Sequence, residues 1–151
     1  MRTIANLVWL LSFGWLSALS WAIAGFMCYV LVILAPFGPA CWRLAQFALY
    51  PVGRELVDAR LLGERRIPGT FLAQIVWVLL AGWWLALLHA VMALCCLAAC
   101  AVVVTIPLAL PLALGAAQLA VASLAPLGKR IVDKEVAKAL RVGHYLRRAG
   151  L

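Results

Sequence analysis

Arg43, Gln46 and Tyr50 stand at i, i+3 and i+7 in an otherwise apolar stretch, PFGPACWRLAQFALY. On a helix that spacing makes one polar stripe, and a cation inside lipid is costly enough to be placed for a reason. Two uses fit the stripe. It can line a water-filled path or meet an anionic group, or it can lie at the interface with the arginine reaching out to headgroups. Gln118 is a second embedded amide. His89, within a long apolar run, reads as a proton-sensitive gate or as a hydrogen-bonded packing histidine. These five residues are the pore or polar-path candidates.

Other chemistries find little support. There is no Ser/His/Asp or Cys/His set, no acidic pair and no Gly-rich phosphate loop. The five carboxylates, Glu55, Asp58, Glu64, Asp133 and Glu135, all neighbour basic residues. No enzyme activity and no catalytic residue are expected. Cysteines occur at 28, 41, 95, 96 and 100 without a CxxC. Cys96 and Cys100 share a helix face but have no acidic or second histidine ligand nearby. The cysteines read as small apolar packing residues, with no metal or cofactor expected.

The elements that must hold these groups are membrane helices. Hydrophobic residues make up 68% of the 151 positions and charged residues 12%, with a mean hydropathy of +1.08. No Asp, Glu, Lys or Arg lies between Arg2 and Arg43, or between Arg66 and Lys129. A bilayer core about 30 Å thick needs roughly 20 apolar helical residues, so each run has room for more than one crossing. The opening run continues through CYVLVILA, too long for a signal peptide, and reads as a retained transmembrane helix.

An internal echo sets the plan. At an offset of 68, NLVWLLSFGWLSAL (6–19) lies over QIVWVLLAGWWLAL (74–87), matching Trp9 with Trp77 and Gly14 with Gly82. At an offset of 75, residues 36–58 lie over 111–133, so that YPVGRELVD answers APLGKRIVD. Pro51, Gly53 and Arg54 thus meet Pro126, Gly128 and Lys129. These six read as helix-exit anchors, a Pro-Gly break followed by a cation where the chain leaves hydrocarbon.

The expected fold is an all-α, polytopic membrane protein of two repeats, with a C-terminal amphipathic helix. Each repeat is a long transmembrane helix (about 4–34 and 71–105) plus a short Pro-bounded helix, with Pro36 and Pro39 breaking the first and Pro107 and Pro111 the second. The segments are repeat 1 at 1–58, a cytoplasmic linker at 59–70, repeat 2 at 71–133 and a cytoplasmic tail at 134–151. From Pro36 to Pro51 is about 22 Å of helix, short of a full crossing. Whether 36–52 and 111–127 cross is therefore left open.

The net charge of +8 is concentrated beside the apolar runs. That placement predicts cytoplasmic termini under the positive-inside rule and contact with anionic lipid, rather than nucleic-acid binding. The tail offers Val132, Val136, Ala139, Leu140 and Leu146 as one face, for a lipid surface or a subunit seam. Small residues at four-residue spacing, such as Gly14-Ala18-Ala22, suit close helix packing and self-association. Belt anchoring at the interface is the default role for the seven tryptophans.

The segments NLVWLLSFGW, VWVLLAGWWLALLH, PVGRELV and PLGKRIV resemble the YccF family of small bacterial inner-membrane proteins, over nearly the whole chain. The resemblance implies a duplicated domain in the cytoplasmic membrane and no particular activity. The expected function is a homo-oligomeric pore or channel for ions or small solutes. The alternative is a non-transporting accessory or scaffold subunit of another membrane protein complex.

Overall fold

The computed structural model describes residues 2–64 and 69–149. The basic positions 65 and 66 of the expected linker lie outside the described residues, as do 150 and 151 of the tail. The chain is mostly helical. Helix α1 (Arg2–Trp9) passes through a π-turn, Leu10–Gly14, into α2 (Trp15–Val30). A 3₁₀ segment, Val32–Phe37, leads into α3 (Gly38–Leu49), and strand β1 (Arg54–Asp58) follows. The same order then recurs. Helix α4 (Thr70–Trp77) passes through a π-turn, Val78–Gly82, into α5 (Trp83–Ala99), followed by α6 (Ile106–Leu124) and β2 (Lys129–Asp133). Helix α7 (Lys134–Ala149) ends the described chain.

Among the described residues, three stretches are long and apolar enough to cross a membrane: Arg2–Val30, Thr70–Ala99 and Val103–Leu124. Helix α3, with 12 residues, reaches only about 18 Å. Helices α2 and α3 pack as one hairpin, and α5 and α6 as another.

The two hairpins are joined by their exits. Strands β1 and β2 pair antiparallel, Arg54 opposite Asp133, Leu56 opposite Ile131 and Asp58 opposite Lys129. Ala59 N–H donates to the Gly128 carbonyl (2.7 Å) and Lys134 N–H to the Gly53 carbonyl (3.0 Å), closing both ends of the ribbon. Gly53 (φ +96°) and Gly128 (φ +78°) take the left-handed turns that aim each strand. The expected all-α fold lacked this ribbon. Helix α7 lies against it, with Ala137 fully buried and Arg141 paired to Glu55.

Each π-turn has a steric and a polar consequence. The inserted residue carries the Trp9 indole over Gly14, where a Cβ would come within 2.7 Å of the ring. The indole N–H then donates to the Ala48 carbonyl at 2.6 Å. In the same way Trp77 donates to the Ser123 carbonyl at 2.8 Å. Helices α3 and α6 end one residue later, where the last carbonyls of a helix lose their partners; the indoles supply them.

Three expectations change. Trp9, Trp21 and Trp77 are core residues, not belt anchors, whereas Trp15, Trp42, Trp83 and Trp84 are exposed. The second break falls before Pro107, which sits in the first turn of α6 where its missing N–H costs nothing; Pro111 lies inside the helix. Val132 belongs to β2, so the tail's apolar face loses that member.

Gly14→Ala is expected to lower stability by about 1–3 kcal/mol through overpacking against Trp9. Gly143→Ala, in α7 with open space around it, should raise it by about 0.5–1 kcal/mol. Denaturant unfolding of the detergent-solubilised protein, followed by tryptophan fluorescence, checks both signs.

Candidate functional site

The candidate polar residues fall into three places. Gln118, on α6, lies beneath the ribbon: its Oε1 accepts from the Leu56 N–H at 3.1 Å, and with Leu56 and Lys129 it lines a shallow cavity of about 270 Å³. The amide therefore holds β1 against α6.

Arg43 occupies the matching place on α3, at the 75-residue offset. Arginine has no acceptor atom, so it cannot take a strand N–H as Gln118 does. Its Nε is buried without a hydrogen-bond partner. Burial most disfavours its cation, the charge of Arg130 adds to that, and the Glu64 carboxylate offsets part. Glu64 is itself held by Arg130 through two bonds, Nε to Oε1 at 2.8 Å and Nη2 to Oε2 at 2.6 Å. Gln46 is exposed one turn after Arg43.

Tyr50 leaves this stripe. Helix α3 ends at Leu49, and Tyr50 turns out with φ −139° and ψ 71°. It lines a cavity of about 410 Å³ with Arg2, Asn6, Gly53 and Arg54. Asn6 fixes that wall from both sides, donating to the Val52 carbonyl at 3.1 Å and accepting the Val52 N–H at 3.0 Å.

His89 is fully buried between the hairpins. Its Nε2 pairs with the Ser17 hydroxyl and its Nδ1 with the Leu85 carbonyl, each at 2.7 Å. Both ring nitrogens are engaged, as a packing histidine requires. Trp21, its counterpart at the 68-residue offset, stacks on Trp77 at 6.2 Å. The counterpart of Ser17 is Leu85, which offers no hydroxyl, and the Trp21 indole N–H is buried without a partner.

The exit anchors act through the turn. Pro51 packs on Gly115, where a Cβ would come within 2.9 Å of it, and Pro126 is fully buried. Arg54 and Lys129 open the two strands.

Residues 4–54 match the YccF family model, described as an inner membrane component domain. The chain is 30% identical over 156 residues to the inner membrane protein YccF of Escherichia coli strain K12, covering 98% of this chain and 99% of that one. The Shigella flexneri protein of the same name matches equally. The chain belongs to the YccF family. It is thus an inner-membrane protein, consistent with its apolar helices. No solved structure matches it.

Sequence reasoning passed over the indole–carbonyl bonds of this YccF-family chain, although a signal existed: Trp and Gly recur five residues apart in both halves. It also missed the Glu55–Arg141 pair, since charge alone does not say which tail residue meets the ribbon.

Gln118→Leu orphans the Leu56 N–H and is expected to cost about 1–3 kcal/mol. Gln118→Glu keeps an acceptor and should lose less. Hydrogen exchange at the Leu56 amide, faster in the leucine variant, checks the assignment.

Proposed function

We propose that this chain is a non-enzymatic, multi-pass membrane protein, several copies of which assemble into a pore for small anions. Arg43 and Gln46 of α3 face the path. The observation that carries this reading is the Arg43 guanidinium, with its Nε buried and unbonded on a helix too short to cross the membrane. A ring of such cations favours anions. Gln118 and His89 have structural partners and are left out of the path.

In this reading the ribbon end is cytoplasmic. Arg2 lies over Gly53, and the strands and α7 gather at the same end, so the basic residues there follow the positive-inside rule. The opposite tips carry no charge. Val103 and Val104 are 75% and 85% exposed, and the turn around them pairs much of its own backbone. Cys100, Ala101 and Val102 donate back to Leu97, Ala98 and Ala99, and both the N–H and the hydroxyl of Thr105 reach the Val102 carbonyl. Such a tip suits the far leaflet.

A duplicated unit is part of the proposal. It is supported by two π-turns at the same offset, two indole bonds to equivalent carbonyls, and two closing bonds that exchange Gly53 with Gly128. In this reading each half enters and returns on one side, with the pseudo-two-fold axis along the membrane normal.

A second reading, an accessory subunit, draws on the apolar groove of about 390 Å³ between α2 and α4–α5, floored by Trp77 and Trp84. Its shape suits a partner's transmembrane helix.

Purified protein in planar bilayers should conduct, with chloride favoured over potassium, and Arg43→Glu should reverse that preference. A conducting variant of unchanged selectivity would remove Arg43 from the path. No conductance, together with a co-purifying membrane protein, would favour the accessory subunit.

A further inference from the structure

The cavity between α1 and the first exit segment has the layout of an amphiphile site. Arg2, Tyr50 and Arg54 stand at its polar end and Leu7 and Leu10 at the other. Arg2 and Leu10 are eight residues apart on one continuous rod, about 12 Å along it, so the cavity grades from cationic to apolar in the direction in which the chain enters the bilayer. Among the described residues, neither arginine has a carboxylate within ion-pair distance: the three pairs present engage Arg60, Arg130 and Arg141. Asp133 also lines the cavity, opposite Arg54 in the ribbon. The described side chains there therefore sum to one positive charge, the complement of one phosphodiester.

The site is built rather than incidental. The two Asn6 bonds to Val52 fix the wall, and the Arg2 stem lies across Gly53, where a Cβ would come within 3.2 Å of its Cδ. The second half supplies an internal comparison. At the 68-residue offset Phe71, Gln74, Ile75 and Val78 replace Thr3, Asn6, Leu7 and Leu10, and their cavity, about 290 Å³, has no cation among the described residues that line it.

We propose that the α1 cavity binds the phosphodiester of an anionic phospholipid, Arg2 and Arg54 holding the phosphate while an acyl chain runs along Leu7 and Leu10. This site does not depend on the pore reading. Full-length protein in detergent is titrated with phosphatidylglycerol or phosphatidylcholine and the bound lipids are counted by native mass spectrometry. Phosphatidylglycerol should be preferred. At about 1 kcal/mol per surface cation, the Arg2→Gln/Arg54→Gln double variant should weaken it roughly 30-fold. Asp133→Asn should strengthen it roughly five-fold, a change that misfolding cannot mimic. The remote double variant Lys138→Gln/Arg147→Gln, removing the same charge from α7, should shift it less than about three-fold. Equal loss in both double variants, or no preference between the two lipids, would overturn the site. Inorganic phosphate should not displace the lipid; full displacement would overturn the lipid as its source.

Discussion

The rest of the structure hangs on the pairing of β1 with β2. A two-stranded ribbon alone in water is marginal, and this one is five residues long on each side. It persists because every side is tied. Ala59 and Lys134 close its ends, Gln118 takes the Leu56 N–H, Val57 is buried beneath it, and Arg141 of α7 reaches Glu55. Strand β1 begins five residues after α3 ends, and β2 five residues after α6 ends. The register of ten residues therefore sets where both hairpins stand. Lipid supplies no hydrophobic drive to bring apolar helices together, which makes a polar clamp at the membrane surface an economical way to fix them.

The indole bonds solve the problem that the clamp creates. To reach the ribbon, α3 and α6 must stop while still surrounded by apolar side chains, and a helix that stops there leaves carbonyls that water cannot satisfy. Trp9 and Trp77 meet those carbonyls from the neighbouring rod. An uninterrupted α-helix aims a side chain back toward its own N-terminus; the π-turn redirects the indole toward the residue five positions on, and only glycine there leaves it room. Turn, glycine and tryptophan are thus one device, and the exit strand is what requires it.

Much of this was legible in the sequence. Unbroken apolar runs announce membrane helices, the Trp–Gly and Pro-x-Gly echoes locate their landmarks, and the charge-free spans bound the crossings. The strands were not legible, because RELVD and KRIVD are short and charged and read as exits into water. Their strand character comes from each other: in antiparallel register two cation-first, aspartate-last segments set opposite charges across both ends of the ribbon. Pro111 misled for a related reason. Proline discourages a helix locally, but packing of α6 along α5 carries the helix through it. Tyr50 shows the limit for the site. Spacing put it in line with Arg43, and the helix ended one residue too soon.

Where the two halves differ, the difference follows from what each position faces. The strand ends face opposite charges, Arg54 against Asp133 and Asp58 against Lys129, so both strands run cation first and aspartate last. Ser17 and His89 make one contact; the counterpart contact would join Leu85 to Trp21. A hydroxyl suits an imidazole nitrogen, whereas leucine offers no side-chain acceptor to the Trp21 indole N–H, which stays without a partner. Gln118 and Arg43 differ in the same way. One accepts a strand N–H and completes the clamp, while the other cannot accept at all and keeps a donor unspent. A two-stranded clamp needs a tie of this kind on only one side once the ribbon is fixed, and that leaves Arg43, on the other side, available for a role the fold does not demand.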